Sequence, residues 1–434
     1  MSGAEETGAA AGVAPPALID AVGEQREWMV ALLRRLLAAP SELGREELAQ
    51  AIVEETLREL GLEISSHVLD ADTLRAHPRA APFDWELGGK RNVVGHWRPG
   101  ASGSPGGGRS LTLSGHVDVP APQSPELWTR PPYEPWVDDG RVVGWGILKS
   151  GLVAMLGALR AMRAAGLEPG ATVRLQSVVE EETSGNGALA AALALEPLDG
   201  ALVAGCLGES VPFAQLGVFW FTVRVALPPA HAGDGVATSA IDSALALVPA
   251  LREHALRANA IPPAAYRDAD EPIKLNVGAI RGGTLPSIGP GECEISCRIA
   301  MFPGERLADK RREIEQVVAA AAERIPAFAA HPPQVRFTGF SCEGYELPRD
   351  APIVQALERA HAAGGGRPRL AALTTALDAR TFHHLGIPAT SAGPPVEQLH
   401  AIDEAVAIDE LVRSTGTIAR FVCDWCGVRR ASDG

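Results

Sequence analysis

The rhythm of this chain changes near residue 213, and that change constrains its architecture more than any other feature. Up to that point short β-rich runs at 92–97, 110–115, 171–179 and 200–204 alternate with helical stretches at 150–165 and 186–195. Strands and helices alternating at this length predict a mostly parallel sheet covered by helices on both faces. Two amphipathic helices, at 21–38 and 46–60, precede it. The segment QLGVFWFTVRVAL at 215–227 then alternates with period two, as a half-buried strand does. A helix at 237–256, strands at 273–280 and 291–300, a helix at 305–325 and a strand at 333–339 follow. The order strand-helix-strand-strand-helix-strand is that of a split βαβ, or ferredoxin-like, sandwich. After about residue 345 the earlier rhythm resumes and runs to a last helix at 407–425. The predicted fold class is therefore α/β: one domain from 19–212 and 345–434, interrupted by an inserted α+β domain at 213–344.

Length and charge narrow the function classes. A chain of 434 residues exceeds what one core usually supports, in keeping with two domains. The net charge of -14 argues against nucleic acid and anionic membranes as partners. The longest apolar stretch, ALAAALAL at 188–195, is too short to span a bilayer. Residues 1–18 are acidic, lack a basic leader region and read as a disordered tail. Six dispersed cysteines do not form a disulfide framework, which points to a cytoplasmic protein. Cys423 and Cys426 form a CxxC without a second pair, and packing is its simpler reading.

Three places carry chemistry-bearing residues. His116 and Asp118 end an apolar strand, two apart and so on one side, where the acid can orient the imidazole. Glu180, Glu181 and Glu182 follow the strand LQSVV and lead into a glycine-rich turn. Three adjacent carboxylates need a positive or protonated neighbour, unless they are simply a solvated helix start. His400 follows a Gly-Pro-Pro turn in QLHAIDEAV. In the inserted domain His231 lies in a loop, while Asn276 and Arg298 lie on strands, where an arginine usually has an anionic partner.

Taken together, SGHVDVP, VVEEETSGNGA, QLGVFWFTVRV with PAHAG, NVGAIRGGTLPS with CRIAMFPGE, and GIPATSAGP with LHAIDE resemble one family in order and spacing. It is the metallopeptidase and deacylase family of acetylornithine deacetylase, succinyl-diaminopimelate desuccinylase, aminoacylase and carboxypeptidase G. The resemblance runs from about residue 25 to the C-terminus. It implies that the inserted domain is a lid through which the chain forms a homodimer, and that zinc is the cofactor. It also implies a small amino-acid-like substrate bearing a carboxylate. His116, Glu182 and His400 match metal ligands, Asp118 the acid that orients His116, and Glu181 the general base. His231 matches a lid histidine that stabilises the oxyanion in the partner's site. Asn276 and Arg298 match residues that hold the substrate's carboxylate, and Gly393 a loop lining the same pocket.

Two positions depart from the family pattern. Where the family carries a bridging Asp two residues before Lys, this chain reads GWGILKSG and is two residues short, with Ile147-Leu148 before Lys149. Where the family has an acid followed by Pro-Thr, it reads Gly205-Cys206-Leu207. A bridged metal pair needs its bridge, so the expectation is a degenerate site with one zinc ion or none. Cys206, Glu180 and Glu209 are the substitute ligands to consider. Three functional readings stand: an N-acyl amino acid hydrolase, a metal-independent enzyme performing proton transfer or amide condensation in the same pocket, and a non-catalytic binding protein.

Overall fold

The computed structural model describes residues 15–99, 108–231 and 239–430. Its main sheet has six strands in the order Glu63–Val68, Arg91–Trp97, Val173–Val178, Leu111–His116, Ala201–Ala204, Ala389–Ala392. The last four of these run parallel, and Arg91–Trp97 pairs antiparallel with Val173–Val178. Both Leu111–His116 and Val173–Val178 are buried along their whole length, which explains why they read as continuous apolar runs rather than alternating ones. Helix Lys149–Ala164 packs on this sheet with thirteen buried residues, including Gly151 and Gly157. A Cβ on Gly157 would come within 2.7 Å of the Met29 sulfur, so the glycine permits close helix packing. Helix Ile408–Cys426 covers the same region and buries both Cys423 and Cys426, in keeping with packing.

The inserted domain has its own sheet, in the order Leu275–Gly282, Glu292–Met301, Gly217–Ala226, Gln334–Arg336. Helices Ala240–Leu245, Val248–Ala258 and Leu307–Ala322 accompany it. This strand order is the ferredoxin-like one that the sequence predicts. The whole is an α/β domain with a mixed sheet flanked by helices and an inserted α+β domain.

The boundaries differ from the sequence reading in four places. Helix Pro16–Glu24 begins inside the segment expected to be a tail, and Leu18 is wholly buried; residues 1–14 lie outside the described ones. The helix expected at 21–38 is two, because Gln25 interrupts it between Glu24 and Arg26. The helix expected at 237–256 is also two: Ser239 caps the first by accepting from the Asp242 N–H, and Pro249 sits at the start of the second. The strand expected at 215–227 breaks at Leu216. Ser210–Gln215 pairs with Tyr345–Glu346 and Arg369–Leu373, while Gly217–Ala226 belongs to the inserted sheet.

Candidate active site

The parallel strands place their C-terminal ends together, where α/β sheets present their ligand-binding loops. His116 ends one strand, Glu180–Glu182 follow the next, Gly205 and Cys206 follow a third, and Gly393 a fourth. His116 turns Nδ1 toward the Asp118 carbonyl oxygen at 3.1 Å and its carboxylate at 3.5 Å. Its Nε2 lies 4.0 Å from Glu181 Oε2. Asp118 is 2% exposed, and its carboxylate accepts the backbone N–H of Glu181 at 3.1 Å and of Glu182 at 2.9 Å. One acid thus holds both the imidazole and the acidic turn. Burial opposes charge on Asp118, but the His116 contact and the two N–H groups outweigh it and hold its pKa low.

The three adjacent glutamates separate. Glu180 adopts φ of 65°, a left-handed conformation that turns it away from its neighbours. Wholly buried, its carboxylate accepts from Lys90 Nζ and Trp85 Nε1 at 2.7 Å each and from Ser184 Oγ at 2.7 Å. Lys90 also donates to Glu46 at 2.9 Å. Glu180 is therefore a structural anchor and is not poised to replace a missing ligand. Glu181 points toward His116, and burial pushes its carboxyl up to about 8. Glu182 lies 3.2 Å from His400 Nε2. Among the described residues, His116, Glu181 and Glu182 each offer one ligand atom within 4.8 Å of one another.

The short loop is closed by a residue to which sequence reasoning gave no role. Buried Glu404 accepts the N–H of Gly146, of Ile147 at 3.0 Å and of His400 at 2.9 Å. This couples the GWGILKSG loop to the His400 turn, where His400 itself has φ of 58°. Trp145 from the same loop sets its ring 6.1 Å from that of His400. Ile147 is wholly buried in the core, so no carboxylate enters the site from this loop. Lys149 is also wholly buried, donating to the Leu36 carbonyl at 2.9 Å, and burial lowers its pKa to about 7. Glu209 is engaged elsewhere, accepting the Arg367 N–H at 3.1 Å. The Cys206 thiol is pushed up by burial and by Glu404 and Glu182, which disfavours the thiolate that a zinc ligand must be.

Asp378 and Arg380 also escaped the sequence reading, although an Asp-x-Arg ahead of a strand that reaches the site was a visible signal. Both are buried, 3.5 Å apart, and burial lifts the Asp378 carboxyl to about 6 while Arg380 and His116 oppose the shift. The charge of Arg380 acts on Glu181 as well.

The lid residues are placed as follows. Asn276 and Arg298 face each other on paired strands. Burial lowers the Arg298 pKa, and among the described residues its side chain makes no hydrogen bond or ion pair. His231 is exposed, in a two-residue strand paired with Ile288–Gly289; residues 232–238 of its loop lie outside the described ones. Gly393 is required by close approach, since a Cβ there would come within 2.0 Å of the Gly205 carbonyl oxygen.

Residues 112–424 match the model of peptidase family M20/M25/M40. The chain belongs to this family. It is 29% identical over 346 residues to the N-formyl-4-amino-5-aminomethyl-2-methylpyrimidine deformylase of Halalkalibacterium halodurans, covering 74% of this chain and 81% of that one. It is 26% identical over 350 residues to the acetylornithine deacetylase of Edwardsiella ictaluri, covering 78% and 84%. The fold matches an M20 family metallo-carboxypeptidase of Sulfolobus solfataricus at a TM-score of 0.69, with 15% identity and coverage of 92% and 99%. The M20 family chain is thus a hydrolase by family, with no helix among its described residues long and apolar enough to cross a membrane.

Proposed function

We propose that this M20 family chain hydrolyses the amide of a small N-acyl compound, with one metal ion where other members of the family bind a bridged pair. The observation that carries the reading is the cluster of His116, Glu181 and Glu182, with ligand atoms within 4.8 Å of one another at the strand ends. Two donors of this cluster suit a zinc ion, His116 Nε2 and a Glu182 carboxylate oxygen, and His400 Nε2 lies 3.2 Å from Glu182 without belonging to the cluster. They do not suit a bridged pair, because Ile147 is buried in the core and Glu404 is engaged with the loop backbone. The ion would be held by His116, Glu182 and His400, and when bound it would polarise the acyl oxygen and acidify water.

Glu181 is the proton carrier. It takes a proton from the attacking water and returns it to the amine nitrogen as the C–N bond breaks, leaving a carboxylic acid and an amine. Burial favours its protonated form, and a nearby cation favours the carboxylate that must act as base. Asn276 and Arg298 would hold a carboxylate of the substrate, with Gly393 lining the pocket. His231 would stabilise the oxyanion in the partner of a homodimer. The named relatives act on a formylated and an acetylated amine, which favours a short acyl group.

The test is zinc content by elemental mass spectrometry together with release of formate or acetate from N-formyl and N-acetyl amines. About one zinc per chain and hydrolysis that falls by roughly a hundredfold or more in Glu181→Gln are expected. A metal-free reaction in the same cleft is the second reading, favoured by the buried Ile147 alone. Zinc absent after growth with zinc, with catalysis intact, would select it.

A further inference from the structure

A second feature lies beside the connections between the two domains. A cavity of about 370 Å³ has the main domain on one side, through Arg79, Ser184 and Arg380. The inserted domain forms the other side, through the first turn of helix Leu307–Ala322 and the segment 341–343. None of His116, Glu181 and Glu182 lines it. Its size suits a small molecule.

Its lining is unbalanced in charge. Arg79, Arg311 and Arg380 face one carboxylate, Glu343. That carboxylate is already engaged, accepting the Leu307 N–H at 3.0 Å and lying 3.9 Å from Arg79. His384, the other titratable group here, is kept toward its neutral form by burial. Arg311 donates to Ser341 Oγ at 2.6 Å, but its Nε has no partner among the described residues. The side chain of Arg380 is 4% exposed; its Nη2 lies 3.5 Å from Asp378, while its Nη1 has no partner among the described residues. Desolvated guanidinium groups without full pairing are costly unless an anion joins them. The amino end of a helix of sixteen residues adds its positive dipole to the same space.

We infer that this cavity binds a compact oxyanion, a phosphate or a small carboxylate, between Arg79, Arg311 and Arg380. The arginine forks match either group with paired hydrogen bonds. The site shares no lining residue with the cluster of His116, Glu181 and Glu182 and places its ligand between the two domains.

Calorimetric titration of the full chain with inorganic phosphate, and separately with succinate, tests the assignment. Saturable binding of at least one anion is expected, and the tighter of the two assigns the class. Arg79→Gln and Arg311→Met should each weaken it by roughly tenfold or more, the loss of one charge-assisted hydrogen bond. Arg298→Met should leave phosphate binding unchanged. The Arg79 side chain is 43% exposed, so its replacement gives a folded variant even where Arg311→Met does not. No saturable binding of either anion overturns the assignment. So does binding that survives Arg79→Gln and Arg311→Met, or phosphate binding that is lost in Arg298→Met.

Discussion

At the scale of single residues, the decisive contacts are those that a one-letter run hides. Glu180, Glu181 and Glu182 are the same side chain three times, yet one is locked to Lys90 and Trp85, one faces His116 and one faces His400. The sequence showed that such a run needs a positive neighbour; it did not show that a left-handed Glu180 would turn the first away to find one. The His116-x-Asp118 spacing likewise made their pairing legible, but not the two N–H groups that Asp118 receives, because those come from a turn 63 and 64 residues away. Lys149 is the residue whose titration has a consequence for stability. Burial brings its pKa from 10.5 to about 7, against the opposing charges of Asp118, Glu404 and Glu42. The unfolded chain therefore holds a proton that the folded one has lost between these values. Its contribution to stability is full above the unfolded pKa and disappears as pH falls toward 7. In denaturant unfolding, wild type should gain stability relative to Lys149→Met between pH 7 and pH 10, on the order of a few kcal/mol. An unchanged difference across that range would mean that the buried lysine keeps its proton.

At the scale of elements, the point of division is the strand that the sequence reads as continuous over 215–227. Its alternation does continue, but two sheets use it. Leu216 is the joint: its N–H goes to the Leu373 carbonyl, and the chain passes from one sheet to the other. The returning connection crosses here. A Cβ on Gly344 would meet the Gln215 carbonyl oxygen and the Gly217 nitrogen, both at 2.6 Å, and one on Gly217 would meet the Gly344 nitrogen at 2.6 Å. Periodicity reports burial on a face and carries no information on which partner strand provides it, so the break was not legible. The ferredoxin-like order was, because it follows from the succession of element types, whereas two of the expected helices each proved to be two. Neither contacting atom belongs to a side chain that can turn aside. Gly344→Ala should therefore destabilise the fold by roughly 1–3 kcal/mol or more, read as a lower denaturant midpoint. A variant as stable as wild type would show that the two connections have room to separate.

At the scale of the whole molecule, the inserted domain presents an open edge. Leu275–Gly282 is the terminal strand of its sheet, with Ile280 48% exposed, and Leu245, Leu256, Leu285 and Ile288 of the same domain are exposed too. An unprotected edge strand with apolar neighbours invites pairing with another chain. A second copy meeting this edge would form an isologous dimer, in keeping with the proposal that His231 serves its partner. Light scattering should then give twice the chain mass for wild type and one chain mass for Ile280→Lys. The stronger test uses chemistry in trans. Glu181→Gln and His231→Ala disable different halves of a shared site, so each alone should be nearly inactive. In a mixed dimer, one site receives both substitutions and the other neither. Co-expression at equal levels makes half of the dimers mixed, each with one intact site, so activity should return to about a quarter of wild type. No recovery would place His231 and Glu181 in the same chain's site and remove the need for a dimer in catalysis.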